Sequence, residues 1–259
     1  MDLGINGRTA LVCASSRGLG LGCATALAEA GAHVVINGRD AARLDDAAAR
    51  IAERTGATVV SVAADVGTVA GREALLAAAG AVDILVNNNA GPPPADFRAL
   101  DRDAVIAGLD ANMITPIALI QAVIDGMVER RFGRIVNITS GSVKMPLAGL
   151  DLSSGARIGL TGFLAGVARQ VAHANVTINS LLPGSFDTDR LEAIDSRRAS
   201  MIGRNFEEIR AERVAAIPAR RVGTPDEFGA ACAFLCSANA GYITGQSLLI
   251  DGGAFPGVM

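Results

Sequence analysis

The 259-residue chain has no tryptophan, a single tyrosine (Tyr242) and a single lysine (Lys144) among its 23 basic residues. It also has no run of more than two consecutive basic residues, and its formal net charge is −3 with an isoelectric point of about 5.4. A protein that binds nucleic acid through its phosphates needs a basic surface, so this composition argues against nucleic acid as the main partner. A small molecule is the better expectation.

Cysteine is scarce, and long uncharged apolar runs are missing. The four cysteines, Cys13, Cys23, Cys232 and Cys236, do not follow a metal-ligand spacing, so we expect no metal site and predict buried, reduced thiols. No segment reaches the roughly 18 to 20 uncharged apolar residues of a membrane span, and no basic stretch followed by an apolar run marks the N-terminus. We therefore expect a cytoplasmic protein without a membrane partner.

Short apolar runs alternate with longer alanine-rich segments of helical periodicity along the whole chain. Repeated strand-helix units of this kind predict a parallel sheet covered by helices on both faces. We predict one domain over residues 1–259, of the α/β class, with a doubly wound parallel seven-stranded sheet (Rossmann-like). The predicted strands are 9–13, 33–37, 58–63, 83–87, 134–139, 176–181 and 247–251. The predicted helices are 18–30, 40–54, 68–79, 102–130, 150–174 and 225–236.

A glycine-containing turn joins the first predicted strand to the first helix. It reads Cys13-Ala14-Ser15-Ser16-Arg17-Gly18-Leu19-Gly20. Glycines at such a turn let a phosphate-bearing ligand approach the backbone, and the N-terminus of the helix attracts its negative charge. A tight turn that binds no ligand is the alternative reading of this segment alone.

Further segments occur in a fixed order along the chain. They are Asp65-Val66, the "NNNAG" at 87–91, Asn112, "NITSGS" at 137–142, "PGSFDTDR" at 183–190 and the C-terminal "GTPDEFGAACAFLCSANAGYITGQSLLIDGG". Together with the glycine turn they resemble the short-chain dehydrogenase/reductase family, and the 3-oxoacyl reductases within it. The resemblance implies a nicotinamide cofactor and a homotetramer. It assigns cofactor contacts to Ser15, Ser16, Arg17, Gly18, Leu19, Gly20, Arg39, Asp65, Val66, Asn88, Pro183 and Gly184.

The end of the second predicted strand distinguishes NADP from NAD. An acid there favours a free ribose hydroxyl, whereas a cation favours the 2′-phosphate of NADP. The residues are Asn37-Gly38-Arg39, and Arg17 lies in the glycine turn. Two guanidinium groups favour NADP because their donors match a phosphate. Asp40 keeps NAD open as the alternative.

The family's Tyr-x-x-x-Lys pair is missing from the expected place, "GLDLSSGARIGL" at 149–160. Counting back from Gly159 puts Leu150 and Ser154 at the pair, and counting forward from Pro146 puts Asp151 and Gly155 there. Both counts lose the tyrosine that exchanges the proton and the lysine that supports it. Negative charge that develops on a carbonyl oxygen still needs a donor, so another group must supply it.

Candidates for this role lie on the segments around the gap. The resemblance implies that Ser140 or Ser142 binds the carbonyl oxygen and that Asn112 organises water. Lys144, just after the fifth strand, is either an exposed charge or a relocated acid. Asp151 is either an acid with a raised pKa or a carboxylate at a helix N-terminus. Ser153 and Ser154 are helix caps or donors that need a relay behind them.

The segment between Thr188 and Gly223 is expected to cover the substrate. Between Arg190 and Arg221 it carries eight arginines and five acids, which fits either a lid over an anionic substrate or helices with solvated charges. The leading hypothesis is an NADP-dependent oxidoreductase that acts on a carbonyl or alcohol through an atypical site. The alternative is a relative that binds the dinucleotide without turnover, as a sensor or assembly partner.

Overall fold

A computed structural model describes residues 1–257, and within that range seven parallel strands form one sheet flanked by nine α-helices. The strands run in the order β3-β2-β1-β4-β5-β6-β7, so the order reverses between β1 and β4. The predicted α/β fold, a single domain with a doubly wound seven-stranded parallel sheet, is confirmed. The strands are β1 (Thr9–Val12), β2 (His33–Gly38), β3 (Val59–Ala63), β4 (Ile84–Asn87), β5 (Gly133–Ile138), β6 (Val176–Pro183) and β7 (Ser247–Ile250).

The helices follow the predicted pattern, with two differences. The predicted helix 102–130 contains a wider, π-helical turn at Asp110–Ile114, and the segment after Thr188 folds into two helices, α7 and α8. The helices are α1 (Gly18–Glu29), α2 (Ala41–Thr55), α3 (Val69–Ala79), α4 (Arg102–Leu109), α5 (Thr115–Glu129), α6 (Asp151–Val171), α7 (Asp189–Ile202), α8 (Phe206–Ala216) and α9 (Pro225–Cys236).

Two apolar cores lie on opposite faces of the sheet. One contains Leu27 of α1 and Phe228 of α9, and the other contains Leu119 of α5 and Leu160 of α6. Burial on both faces explains why the strands read as nearly continuous apolar runs. All four cysteines are buried and free, as predicted, and burial raises the pKa of the Cys13 thiol to about 12.

The helical stretch Arg102–Glu129 is long and apolar enough by composition to cross a membrane, which the sequence reading did not anticipate. Core helices of soluble proteins satisfy the same criterion. Here Leu119, Ile120, Val123 and Met127 pack in the second core. Packing against the sheet therefore accounts for part of the apolar composition of this stretch.

Three asparagines form a polar chain across the middle of the sheet. Asn87 Nδ2 on β4 donates to Asn137 Oδ1 on β5 at 2.9 Å, and Asn137 Nδ2 donates to the carbonyl of Asn179 on β6 at 3.2 Å. Asn179 Nδ2 in turn donates to the carbonyl of Ile243 at 2.8 Å. Because buried amides need partners, this chain fixes the register of β4, β5 and β6 where their carboxyl ends approach the site.

Candidate active site

The glycine turn after β1 is fixed to its neighbours by hydrogen bonds. Ser15 Oγ donates to the carbonyl of Val12 at 2.7 Å and accepts from the backbone N–H of Asn37 at 3.0 Å. Asn88 Nδ2, just after β4, donates to the carbonyl of Ala14 at 3.0 Å. The turn therefore lies at the carboxyl edge of the sheet between β1 and β4, the switch point where doubly wound sheets bind nucleotides.

The turn has the features of a dinucleotide site. Gly18 has φ +57°, a left-handed conformation that favours glycine, and a Cβ on Gly20 would overlap the carbonyl oxygen of Ala14. Arg17 precedes α1 in extended conformation and makes no side-chain cap, so no side chain satisfies the first N–H groups of α1. A close backbone and an uncapped helix N-terminus fit a pyrophosphate group.

Asp40, the acid that would favour NAD, already binds the backbone of its own helix. Asp40 caps α2, because its carboxylate accepts from the backbone N–H of Arg43 at 3.1 Å. Arg39 is exposed next to it, and Ser16 Oγ is 3.1 Å from where a Cβ on Gly38 would stand. The ribose end of the site therefore presents a cation and a hydroxyl while Asp40 is held at the helix start.

Arg17 contacts the first residue of α7. Its Nη1 lies 2.8 Å from Oδ2 of Asp189 at the start of α7, and both side chains are largely exposed. The hydrogen bond from Arg17 lowers the pKa of Asp189, and the positive charge of Arg43 adds to the effect. Asp65 binds within its own turn, where its Oδ1 accepts from the N–H of Gly67 at 2.9 Å.

Asn112 lies in the π-helical turn and faces the end of β4. Its Nδ2 donates to the carbonyl of Ala90 at 3.4 Å, and Asn89 Nδ2 donates back to the carbonyl of Ala111 at 3.2 Å. The side chain of Asn112 is buried, and its Oδ1 has no hydrogen-bond partner among residues 1–257. A buried acceptor without a protein partner is suited to bind a water molecule or ligand donor.

The loop after β5 brings the two candidate serines together. Ser140 Oγ accepts from the backbone N–H of Ser142 at 3.1 Å, while Ser142 Oγ is buried without a hydrogen-bond partner in the described part of the chain. Gly141 lies close to Pro183, since a Cβ on it would stand 3.3 Å from the Pro183 carbonyl. Lys144 is half-buried and is the last residue of this turn, where its backbone N–H donates to the carbonyl of Gly141.

A serine and an arginine spaced four residues apart on α6 occupy the centre of the site. Arg157 Nε donates to Ser153 Oγ at 3.1 Å, and Arg157 Nη1 donates to the carbonyl of Ile138, the last residue of β5, at 2.8 Å. Both side chains are buried. Burial, and secondarily the positive charge of Arg190, lowers the pKa of Arg157 to about 10. The guanidinium remains a cation at neutral pH.

The structure thus brings Asn112, Ser142, Ser153 and Arg157 to the ends of β4 and β5. Asp151 is exposed in the first turn of α6, and Tyr242 is fully exposed. Sequence reasoning missed Arg157 because neither count across the preceding loop ended on it. The sequence does contain a pattern that indicates Arg157. The buried residues of α6 follow helical spacing and include one charged residue, Arg157; they include Ser153, Ala156, Arg157, Leu160 and Leu164.

Comparisons with known proteins agree with this geometry. A family model described as enoyl-(acyl carrier protein) reductase matches residues 13–254. The 3-oxoacyl-[acyl-carrier-protein] reductase FabG of Vibrio harveyi is 35% identical over 259 residues, covering 98% of this chain and 99% of the relative.

Two solved structures extend the comparison. YwfH, an NADPH-dependent reductase involved in bacilysin biosynthesis, has a TM-score of 0.91 at 29% identity and covers 98% of this chain and 100% of its own. L-sorbose reductase from Gluconobacter frateurii, complexed with NADPH and L-sorbose, has a TM-score of 0.93 at 27% identity with 100% coverage of both chains.

The fold, the glycine turn and the polar groups at the carboxyl edge define an oxidoreductase of the dinucleotide-binding α/β class. Within that class, the chain belongs to the short-chain dehydrogenase/reductase family. Both solved relatives are described with NADPH, the cofactor that the two arginines of the sequence favoured.

Proposed function

We propose that this chain reduces the carbonyl group of a small molecule with NADPH, and that Ser153 and Arg157 take the positions of the family's tyrosine and lysine. The observation that carries the proposal is the hydrogen bond from Arg157 Nε to Ser153 Oγ, made between two buried side chains with the spacing of the missing pair. The relatives support carbonyl reduction as the reaction, because FabG of Vibrio harveyi is described as a 3-oxoacyl-[acyl-carrier-protein] reductase.

The residues of the glycine turn, with Arg39, Asp65, Val66, Asn88, Pro183 and Gly184, would hold the cofactor, which supplies a hydride when bound. Ser142 Oγ, with Ser140 beside it, binds the substrate carbonyl oxygen. Asn112 binds water near this point through its free Oδ1. These assignments extend the sequence prediction and are part of the proposal.

Proton delivery follows from the direction of the hydrogen bond. Ser153 Oγ accepts from Arg157, so its own hydroxyl proton is left to donate to the substrate oxygen as negative charge develops there. Ser153 then recovers its proton from water, while the Arg157 cation stabilises the negative charge that develops on Ser153 Oγ and on the substrate oxygen.

Turnover assays test the proposal. We expect NADPH consumption above background with at least one class among β-ketoacyl thioesters, diketones, keto sugars and quinones. Tight NADPH binding with no consumption across all of them would instead support a dinucleotide-binding protein without turnover. Lys144 and Asp151 stay predicted alternatives for the acid, and their variants belong in the same assay.

NADPH selectivity should depend on the arginines around the ribose site. Because a charge-assisted hydrogen bond to a phosphate contributes roughly 1.5–3 kcal/mol, replacing both Arg17 and Arg39 with alanine should raise the Kd for NADPH by about tenfold or more. The Kd for NADH should change much less. Arg50→Ala on α2, where Arg50 pairs with Asp46, is the matched control. Equal losses for NADPH and NADH would contradict NADP as the cofactor.

We also propose a homotetramer in the cytoplasm, as the family resemblance implies. Large apolar side chains that are exposed in the single chain support this assembly. They are Ile106 on α4, Ile114 in the π-helical turn, Ile158 and Phe163 on α6, Phe234 on α9 and Leu248 on β7. Phe163→Glu should give a smaller assembly by light scattering, whereas Val69→Glu at the exposed first residue of α3 should not. An unchanged mass for Phe163→Glu would remove α6 from the interface.

A further inference from the structure

An arginine from the lid reaches the catalytic edge of the sheet. Arg190 lies in the first turn of α7, and its Nη2 and Nη1 stand 3.1 and 3.6 Å from the point that a Cβ on Gly91 would occupy. Ser153 Oγ stands 3.4 Å from the same point. The Arg190 guanidinium and the Ser153 hydroxyl therefore share the space above Gly91, although they lie on different helices.

Neither guanidinium at this place has a counter-ion. Among residues 1–257, no carboxylate lies within 4.0 Å of Arg157 or Arg190. The acid next to Arg190, Asp189, is paired with Arg17. Arg190 is exposed and hydrated, whereas Arg157 is buried, so an anion at this place would compensate chiefly the buried cation. The positive charge of Arg190 is in fact one cause of the lowered pKa of Arg157.

Several other arginines of this segment are paired with carboxylates. Arg210 Nε and Arg213 Nε lie 3.1 and 2.8 Å from the carboxylate of Asp195, which is fully buried between α7 and α8. Arg204 pairs with Glu208 and Glu212. Arg197 and Arg220 are exposed and also lack a carboxylate partner within residues 1–257, so Arg190 is distinguished by its position beside Ser153, above Gly91.

The wall beside Ser153 is apolar. Pro92, Pro93, Leu100, Leu150 and Leu152 pack around Ser153 and leave no room for a water molecule between them. A ligand that contacts both this apolar surface and Arg190 has a short apolar part and an anionic end. The two parallel donors of one guanidinium match the two oxygens of a carboxylate, whereas a phosphate would leave an oxygen facing the apolar wall.

We propose that Arg190 binds a carboxylate of the substrate, so that the chain acts on keto acids, with the keto group placed at Ser153 and the free carboxylate at the lid. The choice of substrate class rests on the proposed reduction. The carboxylate site itself does not, because an unreactive acid can occupy it without turnover.

Matched acids and esters test the substrate class. Wild-type enzyme with NADPH is assayed with pyruvate and acetoacetate and with their methyl esters. We expect at least one acid to be preferred over its ester by tenfold or more in kcat/KM. In Arg190→Gln that preference should shrink toward one, through a higher KM for the acid by about 10- to 100-fold. Arg197→Gln, an exposed arginine of the same helix, should keep the preference.

Calorimetry with oxamate and malonate, in the presence of NADP⁺, separates the two proposals. Binding that weakens in Arg190→Gln but not in Arg197→Gln supports the carboxylate site even if no substrate turns over, in which case only the proposed reduction fails. Reduction of neutral ketones without any preference for acids, or identical behaviour of the two variants, overturns the carboxylate site and leaves the reduction standing. No turnover together with no binding of either acid overturns both.

Discussion

Replacing Arg157 with methionine is expected to lower kcat/KM for carbonyl reduction by about 10²- to 10⁴-fold, the usual contribution of a positioned acid-base group. Methionine keeps much of the volume and removes the charge and both hydrogen bonds, to Ser153 and to the end of β5. Steady-state NADPH oxidation measures the effect, and circular dichroism verifies that the variant is folded.

Three further variants determine whether the loss belongs to this position. Arg169→Met removes an exposed arginine from the same helix and should leave turnover unchanged. Arg157→Lys retains a cation and should recover part of the activity. Lys144→Ala compares the other candidate acid directly: if it costs more than Arg157→Met, the proton comes from the loop after β5 and the role proposed for Arg157 is wrong.

The pH profile supplies a second readout of Arg157. Its pKa is lowered to about 10, so the cation is present below that pH and is lost as the pH rises through it. Carbonyl reduction should therefore decline above about pH 9–10. Above about pH 10 the native state binds fewer protons at this site than the unfolded chain, so Arg157 makes stability rise with pH there. Activity and this contribution to stability thus change in opposite directions.

Replacing Asp195 with alanine is the second large effect, and it acts on the pair of helices α7 and α8. Removing one partner of a buried ion pair typically costs about 3–5 kcal/mol, because the remaining charge is left uncompensated. Here Arg210 and Arg213 would lose their carboxylate, and Arg213 also donates to Ser185 Oγ at 3.4 Å, next to Pro183-Gly184. We expect α7 and α8 to open locally and KM to rise.

Hydrogen exchange followed by mass spectrometry measures that opening. Amides of α7 and α8 should exchange faster in Asp195→Ala, while amides of β4 to β6 keep their protection, because the lost contact joins only the lid helices. Glu192→Ala is the control, since Glu192 is an exposed acid of the same helix. Similar exchange in the two variants would show that the buried carboxylate does not hold the lid together.

The sheet could be predicted from the sequence because apolar runs and turn residues act locally. Each predicted strand agrees with the structure within two residues at either end. The cap of α9 is equally local: Thr224 and Glu227 bind each other's backbone N–H groups as the Thr-Pro-Asp-Glu signal predicts. These features depend on residues that are close in sequence, so a single chain is enough to identify them.

The centre of the site could not be predicted in the same way. Arg157 can be recognised as a site residue only once α6 is known to pack against the end of β5. The length of the loop between β5 and α6 determines which residue of α6 contacts that end. Arg190 meets Gly91 across a hundred residues of sequence, a contact that no local pattern encodes. Asp40 shows the opposite case, in which a residue considered for cofactor selection is used by its own helix.

The scarcity of lysine has a practical consequence at the loop after β5. Lys144 is half-buried two residues beyond Ser142 and carries the only side-chain amine of the chain. Apart from the α-amino group, an amine-directed reagent therefore has one target, and it lies on the loop that carries Ser140 and Ser142. A fluorophore attached there would label this loop at a single known position, without any engineered cysteine.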